Sequence, residues 1–168
     1  MIVVRQETEA DHPSVREINE AAFGGTIEAD LVEALRKDAH PHLSLVAERE
    51  GRVVGHVFFS PATIDADAPF EIFALGPMAV RPEHQRQGIG SALIERGLEE
   101  CRRLGRDVVL VLGHPTYYPR FGFRPAVEHG LRCEWPVPDD VFMVRELREG
   151  ALSQRRGLVK YRPEFANV

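Results

Sequence analysis

Apolar positions along this chain recur at two periods, and the switches between them mark the elements. Residues 2–5 alternate as a short strand, and Thr8-Glu9-Ala10-Asp11 then opens a helix carrying Ile18, Ala22 and Phe23 until Gly24-Gly25 stops it. Leu31, Val32 and Leu35 fall at helical spacing in a second helix over residues 28–37, broken by His40-Pro41. Residues 43–48 and 52–60 are β-rich runs meeting at Glu50-Gly51, the signature of an antiparallel hairpin. A strand over residues 70–80 follows, interrupted by Gly76-Pro77. The longest amphipathic pattern spans residues 88–104, with Ile89, Leu93, Ile94, Leu98 and Cys101 on one stripe and Glu95, Glu99, Arg102 and Arg103 opposite. Residues 107–112 are apolar without alternation, as in a strand buried on both faces beside a parallel neighbour. Strand, helix and strand there predict a right-handed crossover. Residues 129–135 and 141–147 predict two more strands, separated by a loop at residues 136–140, and residues 157–161 one short strand near the end.

Length bounds this to one domain over residues 1–168, since 168 residues bury one substantial core and are few for two. A net charge of −5 without a basic tract argues against a nucleic-acid partner. No apolar run reaches membrane-spanning length and no signal-peptide core opens the chain, so no membrane association and a cytoplasmic location are expected. Cys101 and Cys133 lack zinc-ligand spacing and read as buried free thiols in a reducing compartment. Neither has an adjacent base, which speaks against a covalent thiol intermediate. His12, His40, His42, His56, His84 and His129 show no ligand spacing either. His40-Pro41-His42 offers only two ligands on a loop, so no metal is expected.

Chemistry concentrates where the broken strand enters Arg81-Pro82-Glu83-His84-Gln85-Arg86-Gln87-Gly88-Ile89-Gly90. A strand feeding a glycine-studded turn and a helix points backbone N–H groups at one place, which suits a phosphate. No Gly-Lys-Ser/Thr follows, so this is not a P-loop. Gly88 and Gly90 lead into Ser91-Ala92-Leu93 without the third glycine of a dinucleotide fingerprint. Proline without an N–H and glycine tolerant of bulge dihedrals predict that paired strands part at Gly76-Pro77.

The remaining pattern, Gln-x-x-Gly-x-Gly with Arg86 inside it, together with Gly113-His114-Pro115-Thr116-Tyr117-Tyr118-Pro119-Arg120-Phe121-Gly122-Phe123, resembles the GNAT superfamily of acyl-CoA-dependent N-acetyltransferases. More narrowly it resembles the YhbS-like group of bacterial predicted acetyltransferases, over nearly the whole chain. The resemblance implies an α/β (α+β, GNAT-type) single domain with a mixed, centrally splayed β-sheet and helices on both faces. Its cofactor-binding core would lie at about residues 70–125 and its C-terminal strands at 126–168. Acetyl-CoA would be the acyl donor. Its pantetheine arm would bond to Met78, Ala79 and Val80 in the strand parting, with the Met78 N–H also placed to hold the thioester oxygen. Its pyrophosphate would take N–H groups across Gln85, Arg86, Gln87, Gly88, Ile89, Gly90 and Ser91, aided by the Arg86 side chain.

The same resemblance places Tyr118 near the thioester sulfur, where a phenol of pKa about 10 against a thiol of about 8.5 makes a feasible proton donor; Tyr117 is the competitor. For the general base, several GNAT members use a strand-four glutamate. The corresponding stretch here is Phe73-Ala74-Leu75, leaving Glu71 and His114 as candidates, or an ordered-water route. The expected reaction is direct attack by a primary amine in a ternary complex, the acceptor being a small molecule or peptide that approaches near residues 23–30 and 136–140. A non-catalytic acyl-CoA-binding module and transfer of a longer acyl chain stand as alternatives. Homodimers are common in the superfamily and allowed here.

Overall fold

The computed structural model describes residues 1–65 and 70–167, and their Cα packing forms two compact units. The first comprises Met1–Ser60, Gly76–Gly97 and Pro163–Val168, the second Pro61–Leu75 and Leu98–Arg162.

In the first unit, β1 (Ile2–Gln6), β2 (Leu43–Arg49) and the start of β3 (Arg52–Asp65) form antiparallel neighbours, with the end of β4 (Phe70–Val80) next in order. The β2–β3 hairpin closes at Arg49 opposite Arg52, through Glu50 (φ 52°) and Gly51 (φ 77°). Positive φ at both central residues matches the right-handed twist of the flanking strands. Helix α1 (His12–Phe23) begins after a turn in which the Thr8 N–H donates to Asp11 Oδ2 at 2.7 Å. It ends at Gly24 (φ 76°), whose N–H bonds the Glu20 carbonyl. Helix α2 (Ile27–Asp38) starts three residues later, so the expected loop over residues 23–30 contracts to residues 24–26. Ile27 and Glu28 supply the first turn directly, because Thr26 already provides the cap position.

Val15 and Ile18 of α1, Leu31, Val32 and Leu35 of α2, and Val46, Val53, Phe58 and Ala79 of the strands make one core cluster. Each large member stabilises by about 1.5–3 kcal/mol through burial. Within this unit lies a buried polar chain. Ser44 Oγ sits 2.9 Å from His56 Nε2, and Asn19 Nδ2 sits 3.4 Å from His56 Nδ1 while donating to the Val15 carbonyl at 2.9 Å. Glu7 is held by Arg36, Nη2 to Oε1 at 2.5 Å. Desolvation pushes the His56 pKa down to about 4, so the ring is neutral near pH 7, with Glu7 opposing the shift and Arg36 adding to it. His56 thus serves the packing role its sequence suggests.

Helix α3 (Ile89–Arg103) buries Ile89, Leu93 and Ile94 as its stripe predicts. It crosses Phe59 so closely that a Cβ at Gly97 would stand 2.3 Å from the ring. Gly97 is therefore a packing requirement, despite its cost in a helix interior.

In the second unit the start of β4 pairs in parallel with β5 (Val108–Leu112), Phe73 opposite Val109, Ala74 opposite Leu110 and Leu75 opposite Val111. β5 pairs antiparallel with β8 (Phe142–Glu146), which pairs with the two-residue β6 (Arg124–Pro125). β7 (Leu131–Cys133) runs parallel to β9 (Gly157–Lys160), and β9 pairs with the end of β3. Parallel and antiparallel pairs together make the mixed sheet expected from the sequence. Two strands depart most from their expected bounds. Only Leu131–Cys133 of the expected strand over 129–135 is extended, because His129 closes a 3-10 turn that Gly130 (φ 73°) terminates. β3 continues beyond Ser60 and through Pro61, because β9 supplies ladder partners for Thr63, Ile64 and Asp65. Leu98 and Cys101 of α3 are buried here, whereas Cys133 is only half-buried, contrary to the expected burial.

Candidate active site

Strand β4 changes character at its break. Ile72, Phe73, Ala74 and Leu75 are all buried, as a strand flanked by neighbours should be; from Gly76 onward half-buried and buried positions alternate through Pro77, Met78, Ala79 and Val80. Gly76 has φ 139°, in the region glycine favours, and the Gly76–Pro77 peptide is cis. The ladder with β5 runs to Leu75, and β4 itself continues to Val80.

Past Val80 the first unit builds the turn. The Arg81 N–H bonds the Val54 carbonyl, and its buried guanidinium reaches the Val53 carbonyl at 3.0 Å and Glu17 at 2.9 Å. Arg81 therefore anchors the strand end. Gln85 Nε2 donates to the Val80 carbonyl at 3.0 Å, Gln87 Nε2 to the Glu83 carbonyl at 3.3 Å, and Arg49 Nη1 to Gln87 Oε1 at 2.5 Å and His84 Nδ1 at 3.2 Å. These bonds fix the turn while its backbone curls through positive φ at Arg86 (62°) and Gly88 (85°). Such residues turn successive N–H groups toward a common concavity. The Ala92 N–H makes a helical bond to the Gly88 carbonyl at 3.0 Å, so the N–H groups of Gly88, Ile89 and Gly90 precede that bond at the positive end of the helix dipole. A Cβ at Gly88 would meet nothing within 4 Å, which leaves the concavity open. Ile89 turns its side chain inward, against Gly55, where a Cβ would stand 3.0 Å from Ile89 Cγ2.

The second unit holds the other named residues. Tyr118 begins a 3-10 turn, Tyr118–Phe121, and is buried, its ring packed edge-on against Tyr117 (centroids 5.2 Å) and Phe123 (5.7 Å). Burial, and then the neighbouring Tyr117, push its phenol up to about 12. His114 is exposed, and its carbonyl accepts the Tyr117 and Tyr118 N–H groups at 3.1 and 3.4 Å. The exposed Glu71 carboxylate is paired with Arg106 at 2.9 Å, and the same guanidinium lies 5.1 Å over the Phe73 ring. Alternation does bring Glu71 to the Phe73 side, with Arg106 already on it. Burial raises the pKa of Cys101, and also that of Cys133. Neither thiol is therefore activated as a nucleophile. Among the described residues no three His, Cys, Asp or Glu side chains gather as metal ligands. His40 and His42 instead bond the Lys37 and Ala39 carbonyls.

The sequence motif includes Gly113 without showing its role. A Cβ there would stand 2.3 Å from Tyr118 Cε2, so this glycine is what lets the phenol ring lie on the end of β5. The available signal was its place between an apolar strand and the tyrosine segment. Arg49 and Arg81 were overlooked, since their partners lie far off in sequence.

Comparison with known proteins agrees with this geometry. The domain family described as Acetyltransferase (GNAT) domain matches residues 3–126. The chain is 45% identical over 136 residues to the uncharacterized N-acetyltransferase YjhQ of Escherichia coli K12, covering 78% of this chain and 75% of that protein. It is 36% identical over 165 residues to the uncharacterized N-acetyltransferase YhbS of the same strain, covering 98% of each. The crystal structure of YhbS from Escherichia coli in complex with CoA superposes with TM-score 0.91 at 35% identity, over 98% of this chain and 91% of that one. A GNAT acetyltransferase from Brucella melitensis in complex with acetyl-CoA gives TM-score 0.80 at 33% identity, over 98% of both chains. With its mixed sheet, its broken strand leading into a phosphate-type turn, and a family match over most of its length, the chain belongs to the GNAT acetyltransferases.

Proposed function

We propose that the whole chain, residues 1–168, works as one N-acetyltransferase domain that moves the acetyl group of acetyl-CoA to a primary amine by direct attack in a ternary complex. The observation that carries this reading is the turn over residues 85–91, where positive φ at Arg86 and Gly88 opens a concavity ahead of the helical ladder of α3. The diphosphate of CoA takes N–H groups across Gln85, Arg86, Gln87, Gly88, Ile89, Gly90 and Ser91, and the exposed Arg86 side chain adds charge. Met78, Ala79 and Val80 carry the pantetheine arm, with the Val80 carbonyl already accepting from Gln85. YhbS and the Brucella melitensis enzyme, both solved with this kind of ligand, support the assignment of the donor.

In the reaction the amine nitrogen attacks the thioester carbonyl, the Met78 N–H holds the resulting oxyanion, and the C–S bond breaks as the sulfur takes a proton from Tyr118. The proton lost by the nitrogen passes to Glu71 or His114, directly or through water. The Glu71 carboxylate is paired with Arg106, which leaves the exposed His114 the less encumbered acceptor. A phenol at about 12 transferring to a solvated thiolate of about 8.5 would be uphill by about 5 kcal/mol. Transfer therefore accompanies bond breaking in a dry site, where desolvation raises the thiolate as well. Among the described residues no helix is long and apolar enough to cross a membrane. The test is thiol release from acetyl-CoA across a panel of amines. Amine-dependent release supports the reading; CoA binding without release above buffer for any amine favours a binding module.

A further inference from the structure

The second unit contains a cavity of about 180 Å³ that the proposed chemistry does not yet use. Its apolar lining includes Val127, Leu131, Trp135, Val137 and Phe142, with Asp139 and Arg132 as the charged groups. The volume equals that of about six water molecules in the liquid, which suits an isoamyl group or one benzene ring and is small for an extended polycation, while the apolar lining favours a hydrocarbon body over a sugar. Trp135 is braced by the Tyr161 ring at 5.0 Å, while the Tyr161 N–H bonds Glu134 at 2.8 Å, so this wall is tied to β9 and its flank. Asp139 is exposed and lends the mouth an acidic group that attracts a cation.

The cavity also shares a wall with the end of β5. Phe142 lies opposite Leu112 in the β5–β8 ladder, the next N–H, of Gly113, bonds the Val141 carbonyl at 3.0 Å, and Gly113 is the residue on which the Tyr118 ring rests. Phe142 thus links the cavity to the strand end on which the Tyr118 ring rests, the carboxyl end of a parallel strand, where open α/β sheets bind ligands.

We infer that the acceptor is a primary amine bearing a compact apolar body, either branched aliphatic or a single aromatic ring, held by Val127, Leu131, Trp135, Val137 and Phe142. This rests on the acetyl transfer proposed above and narrows its acceptor. Trp135 is the one tryptophan of the chain, so its emission reports occupancy of the cavity independently of turnover. The experiment compares ethylamine, putrescine, isoamylamine and phenethylamine on the full-length protein with saturating acetyl-CoA, reading kcat/KM by thiol release and Trp135 emission in parallel. Isoamylamine and phenethylamine are expected to exceed ethylamine by about tenfold or more and to shift the emission over the concentration range in which they saturate turnover. Val127→Phe, which fills the cavity, is expected to narrow that ratio severalfold. Equal use of ethylamine and isoamylamine, preference for putrescine, or turnover of isoamylamine without any response of Trp135 overturns the inference. Inactivity on all four amines despite CoA binding strikes the transfer reaction itself and takes this inference with it.

Discussion

The turn over residues 85–91 and the tyrosine segment over residues 113–123 solve opposite problems. The first offers backbone: its side chains are mostly exposed or spent on holding shape, as Gln85 is, and Gln87 with Arg49 of β2 donating to it, and what it presents is a row of N–H groups. The second offers one side chain, Tyr118, whose properties come from what surrounds it: Gly113 beneath, Tyr117 and Phe123 at its edges, and burial that lifts its phenol to about 12. Gripping a dianion wants donors that need no reorganisation, whereas passing a proton wants a group whose ionised form is suppressed until it is needed. Loss of the first should therefore read as affinity, and loss of the second as rate.

The largest effect that separates them is Tyr118→Phe, expected to lower kcat on the order of a hundredfold or more while the acetyl-CoA KM stays within about twofold; unchanged turnover removes Tyr118 as the proton donor. Next comes acid. The His56 pKa is depressed to about 4 from 6.5 in the folded state, so its contribution is present above the unfolded value and lost as pH falls through that window. Burial raises the Glu7 pKa, but the Arg36 hydrogen bond and charge, with the Ser44 hydrogen bond, lower it by more, so Glu7 adds loss in the same direction. Urea unfolding should show roughly 3 kcal/mol less stability at pH 4 than at pH 7, with a flatter slope in His56→Phe. This titration belongs to the core and leaves both functional segments out, so a slope unaffected by His56→Phe would contradict it. Gly113→Ala forces a Cβ into the Tyr118 ring, at an expected cost of about 1–3 kcal/mol in stability and about tenfold in kcat, measured by denaturation and steady-state kinetics. The smallest effect is Gly88→Ala, whose φ of 85° costs an L-residue about 1–2 kcal/mol and should weaken CoA binding by about tenfold or less, with kcat at saturation retained.

The two segments also differ in how far the amino-acid sequence discloses them. Backbone-driven features carry local signatures: Gly88 and Gly90 ahead of an amphipathic stripe, Gly76-Pro77 inside a strand, and Glu50-Gly51 between two β runs all state their dihedrals in the residue type. The first two helices, the hairpin, β4 and α3 were legible for that reason. Features set by distant partners were not. Nothing near Glu71 announces Arg106, nothing near Gln87 announces Arg49, and Gly113 looks like any strand-end glycine until Tyr118 folds onto it. The extension of β3 past Pro61 likewise depends on β9, whose pairing is long-range. His56 reads as a polar residue in an apolar run, and only the meeting of Ser44 and Asn19 on its two nitrogens shows why it is tolerated there.

The claim on which the rest depends is that the turn after Val80 grips the diphosphate of coenzyme A. Isothermal titration of CoA into the unmodified protein and into Gly90→Glu, which places bulk and like charge in the concavity, tests it directly. The account predicts saturable binding by the first and none by the second at millimolar CoA, with both proteins folded by circular dichroism. Equal heats from the two, or no heat from the unmodified protein, would contradict it.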